Sequence, residues 1–125
     1  MNRLAKPALL LAALGAITPG HAGLTAYPIS GRWASTHTQE RPDCNRPPFM
    51  EFRGDRRFDF GNSSVPEYRV LSIVPTGNTA FRIVEIFFNG QIQGRMTYTL
   101  QVRDADHASM HLQPDGRFIA LARCT

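Results

Sequence analysis

Short runs of alternating apolar and polar residues fill the chain from Phe49 onward, and this pattern limits the fold more than any other feature. In the clearest run, Met96–Val102, every second residue is apolar and the residues between them are Thr and Gln. Such alternation is typical of a strand with one face in a core. No segment after Gly23 shows a sustained 3.6-residue apolar period, so we expect an all-β domain.

Turn residues separate these runs at short intervals. Asn89-Gly90 is a strong hairpin signal because both residues tolerate positive φ angles. The predicted strands are Gly31–Ser35, Phe49–Arg53, Arg57–Phe60, Tyr68–Val74, Phe81–Phe88, Met96–Val102, Ala108–Leu112 and Arg117–Cys124. An up-and-down sheet of this size has two edges to protect, and closure into a barrel removes both. We therefore predict a single antiparallel eight-stranded β-barrel, with a β-sandwich as the alternative.

The first 22 residues have the layout of a secretory signal peptide. Two basic residues precede an apolar run, Ala8–Ile17, and small residues follow at Gly20 and Ala22. The run is too short to span a bilayer, which takes about 20 residues. We expect cleavage near Ala22-Gly23, release into the periplasm or the medium, and one mature domain, residues 23–125, with no transmembrane segment.

The two ends of the mature chain carry features that would meet in a closed barrel. Two cysteines in an exported chain predict a disulfide, Cys44–Cys124. If Leu121 faces the barrel interior, Arg123 lies at the inner rim, where it can reach Trp33. Cys124 then points outward, toward the loop that carries Cys44. One choice of strand face therefore explains both features.

Charge and residue chemistry argue against several function classes. After cleavage the chain keeps twelve arginines and ten acidic residues, a formal charge of +2, which is too weak for a nucleic-acid face. No serine lies in a G-x-S-x-G motif, and the cysteines are expected to be oxidised, so no nucleophile is poised. His107 and His111 would lie about 13 Å apart along one strand, too far to share a metal. We expect no enzyme, no metal site and no cofactor.

Large side chains on the predicted inner faces favour a barrel that is mostly filled. An eight-stranded barrel has room for its own side chains or for one small ligand. The Phe81–Phe88 strand is apolar on both faces, with Phe81, Ile83 and Phe87 on one and Val84, Ile86 and Phe88 on the other, so one apolar set faces outward. We expect that set to be covered by the N-terminal lead or by a partner, since exposed apolar strips usually mark interfaces.

Three arginines form the densest charge cluster in the sequence. Arg53, Arg56 and Arg57 are interleaved with Asp55 and Asp59. One interpretation is a solvated hairpin tip whose ion pairs contribute little to stability. The other is a docking site for an acidic partner or a lipid headgroup.

Gly31-x-Trp33 on the first strand and Arg123 on the last resemble the structural signature of the calycins, which include the lipocalins and avidins. The mature length, the export and the single disulfide are most similar to the alkaline-metalloproteinase inhibitors of Gram-negative bacteria. In that family the disulfide lies in the N-terminal part of the chain, whereas here the second cysteine is the penultimate residue. The resemblance implies a scaffold barrel whose N-terminal segment enters a protease cleft. That segment would supply the partner-binding residues Gly23, Leu24, Thr25, Ala26 and Tyr27.

Three functions are therefore compatible with the sequence. The first is an exported, monomeric, non-enzymatic binding protein that acts on a protein partner, such as a secreted protease, through its surface and N-terminal lead. The second is a carrier of a small hydrophobic ligand, of lipocalin type. The third is a structural envelope component that docks through the three arginines.

Overall fold

The computed structural model describes residues 23–38, 40–61 and 64–125, and in this part of the chain eight antiparallel strands form a closed barrel. The predicted signal peptide lies outside the described residues. The strands are β1 Gly31–Ser35, β2 Phe49–Arg53, β3 Arg56–Phe60, β4 Glu67–Pro75, β5 Ala80–Asn89, β6 Ile92–Asp104, β7 His107–Gln113 and β8 Phe118–Arg123. The described residues contain no helix that is long and apolar enough to cross a membrane.

Pairing of the last strand with the first closes the barrel. Trp33 of β1 is opposite Arg123 of β8, and Ala34 is opposite Ala122. Every other strand pairs with its neighbour in sequence, so the up-and-down barrel is confirmed and the β-sandwich alternative is wrong. The predicted strands agree with the observed ones except at their ends. The largest difference is at β6, which begins at Ile92 because the β5–β6 hairpin stays paired up to its Gly90 turn.

The alternating residues place large side chains inside the barrel. Trp33, Tyr98 and Leu100 have no exposed surface, as expected for the inner face of β1 and β6. Further buried residues of this core are Phe52, Ile73, Ile83, Ala108, Met110, Leu112 and Leu121. Burial of one such side chain contributes roughly 1.5–3 kcal/mol, so this core stabilises the closed sheet.

The N-terminal lead, residues 23–30, closes one end of the barrel. The N–H of Leu24 donates a hydrogen bond to the carbonyl oxygen of Ile73 at 3.0 Å, and the N–H of Tyr27 donates to that of Gly54 at 2.9 Å. The side chain of Tyr27 is only 7% exposed and enters the core. The lead is therefore part of the barrel rather than a free extension. We call the end of the barrel that the lead covers the closed end.

A disulfide and several hydrogen bonds join the β1–β2 loop to the C-terminus. Cys44 and Cys124 form the predicted disulfide. Arg41 donates hydrogen bonds from its side chain to the carbonyl oxygens of Arg123, at 3.2 Å, and Cys124, at 3.0 Å. The N–H of Thr125 donates to the carbonyl of Pro42. These contacts hold the loop near the strand seam where the barrel closes.

Candidate functional site

A cup of about 840 Å³ lies at the end of the barrel opposite the lead. Inward side chains of β2, β3, β4, β6, β7 and β8 form much of its wall, and the β1–β2, β3–β4 and β7–β8 loops contribute to its rim. The wall residues are Met50, Arg57, Asp59, Tyr68, Met96, Met110, Leu112 and Ile119. Pockets that bind small molecules usually measure about 300–1,000 Å³, so the cup has the size of a ligand site.

The wall of the cup is rich in methionine. Every methionine after Met1, namely Met50, Met96 and Met110, lines the cup. Met50, Met96 and the nearby Ile119 are only half-buried, so apolar surface is open to the cup. Methionine side chains are flexible and polarisable and can adapt to ligands of different shape. The methionines therefore give the cup an apolar and deformable surface beside the charged groups of Arg57 and Asp59.

A buried ion pair lies beneath the cup. Arg57 donates from Nε to Glu85 at 2.9 Å and from a terminal nitrogen at 2.7 Å. The hydroxyls of Tyr27 and Tyr98 each donate to the same carboxylate at 2.7 Å. The Arg57 and Glu85 side chains are 3% and 0% exposed. A buried charge is tolerated when it is paired and hydrogen-bonded, and Glu85 accepts four hydrogen bonds.

Burial and the Glu85 charge shift the pKa values of this network. Burial, reinforced by the nearby carboxylate, raises the pKa of both Tyr27 and Tyr98. Their hydroxyls therefore stay protonated and donate. Burial works to lower the pKa of Arg57, but its hydrogen bonds to Glu85 outweigh that effect and the pKa is raised. The guanidinium carbon also lies 3.9 Å from the centre of the Tyr68 ring, a cation–π contact.

Asp59 is the acidic group on the inward face of the cup wall. It is half-buried and lies opposite Met50 in the β2–β3 pair. Burial raises the pKa of Asp59, the Glu85 charge adds to the rise and Arg57 opposes it. Within the described residues, no side-chain hydrogen bond or ion pair reaches its carboxyl group. This carboxyl group is available to accept a hydrogen bond from a molecule in the cup.

Gly31, Trp33 and Arg123 lie together below the cup, at the seam where β1 pairs with β8. The guanidinium carbon of Arg123 is 4.7 Å from the Trp33 ring centre. Its nitrogens donate to the carbonyl oxygens of Ser30 at 2.7 Å and Ala105 at 2.9 Å. Gly31 has φ +89°, and a Cβ there would lie 3.1 Å from the Arg123 guanidinium. Glycine therefore suits both the backbone angle and the close approach.

The arginine cluster is divided between two sides of the sheet. Arg53 and Arg56 are exposed and pair with Glu51 at 2.8 Å and Glu67 at 3.0 Å. Arg57 faces the interior because alternate residues of β3 point to opposite sides. The expectation that all three share a surface is wrong for Arg57, which is 2% exposed. The sequence signal for the buried pair was Glu85, an acid on the apolar inward face of the β5 segment.

The lead residues are also divided. Gly23, Leu24, Thr25 and Ala26 are exposed at the closed end. Tyr27 is buried, so the expectation that it contacts a partner is wrong. The lead leaves Phe88 of the outward β5 set 61% exposed, so the expectation that the lead covers that set is wrong for this residue.

The described histidines, His37, His107 and His111, lie on the outer surface. His107 contacts the Asp104 carboxylate at 2.9 Å. No cluster of three or more His, Cys, Asp or Glu side chains suited to a metal occurs in the described ranges. Comparison with models of known families, with curated proteins and with solved structures found no match, so the functional argument depends on the geometry of the barrel.

Proposed function

We propose that this protein is an exported, non-enzymatic binding protein that holds a small hydrophobic compound in the cup. The observation that carries the proposal is the methionine-lined space of about 840 Å³ at the open end of the barrel. Its volume suits a small molecule. The inward wall offers Met50, Met96, Met110, Leu112 and Ile119 to an apolar body, and the charged residues Asp43, Arg46, Arg57, Asp59 and Arg117 also line the space. The resemblance of the strand seam to that of the calycins is in keeping with this role.

The filled half of the barrel limits where a ligand can lie. Tyr98 and Leu100 fill the section beneath the cup and have no exposed surface. A ligand would therefore occupy the mouth and be partly covered by the loop that carries Cys44. An apolar body would contact Met50 and Met96, and a hydrogen-bond donor on the ligand would meet Asp59.

Export is part of the proposal. The pattern of the first 22 residues supports it, and so does the Cys44–Cys124 disulfide, because disulfides persist in oxidising compartments. The periplasm or the medium would then be the working compartment. Neither feature depends on the identity of the ligand.

Binding can be tested with the neutral apolar dye N-phenyl-1-naphthylamine. Ile119→Lys places a charge in the wall, whereas Phe118→Lys places the same charge on the neighbouring residue, which points outward and is 63% exposed. We expect saturable one-to-one binding that Ile119→Lys weakens by at least about tenfold, the equivalent of 1.4 kcal/mol, and that Phe118→Lys leaves unchanged. Equal binding by both variants, or no saturable binding by the wild type, would refute the proposal.

A protein partner at the closed end is the second candidate. Tyr27 anchors the lead, and Leu24 remains 42% exposed beyond it. A short exposed segment held by a buried anchor is preorganised, which lowers the entropy cost of binding. Secreted proteases should be titrated with the protein and with Leu24→Asp, since removal of Tyr27 would disturb the core. Inhibition that Leu24→Asp abolishes would support this function, and its absence in both proteins would exclude it.

A further inference from the structure

Positive charge is concentrated on one part of the outer surface. Strands β4 to β6, residues 67–104, include four arginines and two solvent-accessible acids at the ends of the range, Glu67 and Asp104, while Glu85 is buried inside the barrel and paired with Arg57. Elsewhere from residue 23 onward, apart from the buried Arg57, seven arginines are accompanied by seven acids. The formal charge of +2 therefore lies on the β4–β6 wall, and the charges of the remainder cancel. This asymmetry gives the barrel one cationic wall.

Ion pairing also differs between the β1–β3 side of the barrel and the cationic wall. Arg32 and Arg53 both pair with Glu51 on the β1–β3 side. In the part of the chain that the structure describes, neither Arg69 nor Arg95 on the cationic wall pairs with a carboxylate. These guanidinium groups can therefore bind an external anion without first breaking an internal contact.

Two of these arginines lie in one row across three strands. Arg69 of β4 is opposite Ile86 of β5, and Ile86 is opposite Arg95 of β6. Neighbouring strands are about 4.8 Å apart, so the two arginine Cα atoms lie roughly 10 Å apart on either side of an apolar residue. The row offers two separate cations with a half-buried isoleucine between them.

The β5–β6 hairpin extends this wall with an apolar tip. All six residues from 88 to 93 are exposed, so the tip projects from the barrel. Phe88, on the same face as Ile86, is 61% exposed, and Ile92, on the opposite face of the hairpin, is 72% exposed. Both faces of the tip therefore carry a large apolar side chain that lacks cover.

We propose that the cationic wall and the β5–β6 tip dock the protein on a membrane surface with anionic headgroups. Arg69 and Arg95 would meet phosphate groups, and Phe88 and Ile92 would enter the boundary between headgroups and acyl chains. Basic residues and exposed apolar side chains together are the combination that binds such surfaces. An acidic protein would satisfy the arginines but would leave one face of the tip uncovered. The inference does not depend on a ligand in the cup, although the tip and the cup mouth lie at the same end.

The test is cosedimentation with vesicles of phosphatidylglycerol and phosphatidylcholine or of phosphatidylcholine alone. It uses residues 23–125, which contain the complete barrel, because the apolar run Ala8–Ile17 would itself bind lipid. Each basic residue near an anionic surface contributes roughly a fivefold factor, so Arg69→Gln with Arg95→Gln should weaken binding about 30-fold. The matched control, Arg32→Gln with Arg53→Gln, also removes two charges and should change binding little.

The tip is tested in the same assay. Phe88→Ser with Ile92→Ser should weaken binding to the anionic vesicles by at least about tenfold, because burial of each apolar side chain favours the membrane. Phe118→Ser removes an equally exposed phenylalanine from β8 and should have no effect. Unchanged unfolding midpoints in urea would verify that the variants are folded.

Three results would overturn the inference. The first is equal binding to the two kinds of vesicle, and the second is an equal loss from the two arginine pairs. The third is binding that depends on Arg69 and Arg95 but not on the tip, because that would indicate a soluble polyanion rather than a membrane. Loss of vesicle binding with the dye-binding cup intact would leave the proposed function standing.

Discussion

The guanidinium of Arg123 lies across the indole ring of Trp33, 4.7 Å from its centre, and this contact joins the last strand of the barrel to the first. The same guanidinium donates hydrogen bonds to the carbonyl oxygens of Ser30, in the lead, and Ala105, in the β6–β7 turn. One side chain of the last strand therefore contacts both the start of the barrel, at Ser30 and Trp33, and the β6–β7 turn. The seam should be sensitive to its removal.

Arg123→Ala is expected to lower the free energy of unfolding by about 2–3 kcal/mol, because it removes a cation–π contact and two charge-assisted hydrogen bonds. Arg123→Lys should recover only part of that loss, since an ammonium group cannot reproduce the planar geometry. Urea unfolding measures the effect, with Arg103→Ala as the control on an exposed arginine. A loss no larger than that of the control would contradict this role for the seam.

Reduction of the Cys44–Cys124 disulfide should lower the free energy of unfolding by about 4–5 kcal/mol. The bond closes a loop of 80 residues, and the chain-entropy model predicts that magnitude for a loop of this length. Urea unfolding of the protein with and without reductant measures the difference. A double Cys→Ser variant that is as stable as the oxidised protein would show that the disulfide does not stabilise the fold.

Glu85→Gln should destabilise the barrel by about 3–5 kcal/mol, because it leaves the buried Arg57 guanidinium without a counter-charge. Adding Arg57→Met to Glu85→Gln should restore part of the stability, since the unpaired charge is then absent. The exposed Glu67, which pairs with Arg56, offers the matched control, and Glu67→Gln should cost at most about 1 kcal/mol. Equal losses of unfolding free energy for the two glutamate variants would show that the buried ion pair contributes no more to stability than the exposed one.

The two tyrosines on Glu85 should make the protein sensitive to alkali. Because the pKa of Tyr27 and of Tyr98 is raised in the folded state, the unfolded chain releases these protons first as the pH rises. Their contribution is complete below about pH 10, the unfolded value, and is lost above it by about 1.4 kcal/mol per pH unit for each tyrosine. Tyr27→Phe should remove about half of this slope in urea unfolding measured at several pH values. An unchanged slope would exclude Tyr27 as its source.

The sequence was sufficient to predict the barrel because its signals are local or lie at the chain ends. The alternation in Met96–Val102 determines which side chains face inward, and the same alternation in the last strand brings Arg123 to Trp33. The disulfide was inferred from the predicted export and from the position of Cys124 on the opposite face of that strand. Each of these inferences needed only strand period and the positions of a few residues.

The buried network was not predicted, because its partners are distant in sequence. In β3, Phe58 and Phe60 are more apolar than Arg57, so local pattern favours the phenylalanines as core residues. In the barrel they face outward, where Phe60 stacks on Phe49 at 4.9 Å, while Arg57 turns inward to Glu85. The ion pair spans 28 positions, so the acid on the apolar face of β5 indicates that a buried partner exists, but no local pattern identifies Arg57 as that partner.

The cup was not predicted from the sequence either, because the large side chains on the inward faces indicated an interior filled by the protein's own residues. The prediction is correct for the section around Tyr98 and Leu100. Near the mouth, however, β1, β2 and β3 are only five residues long, and loops form much of the rim. The space between these short strands and the loops depends on loop conformation, which alternation does not predict.

Native mass spectrometry of the protein purified from the cells that make it, and from their medium, tests the central claim most directly. The wild type should carry a hydrophobic compound of a few hundred daltons, and Ile119→Lys should lose it while Phe118→Lys keeps it. The polypeptide mass alone in the wild type, together with no saturable dye binding, would contradict the account.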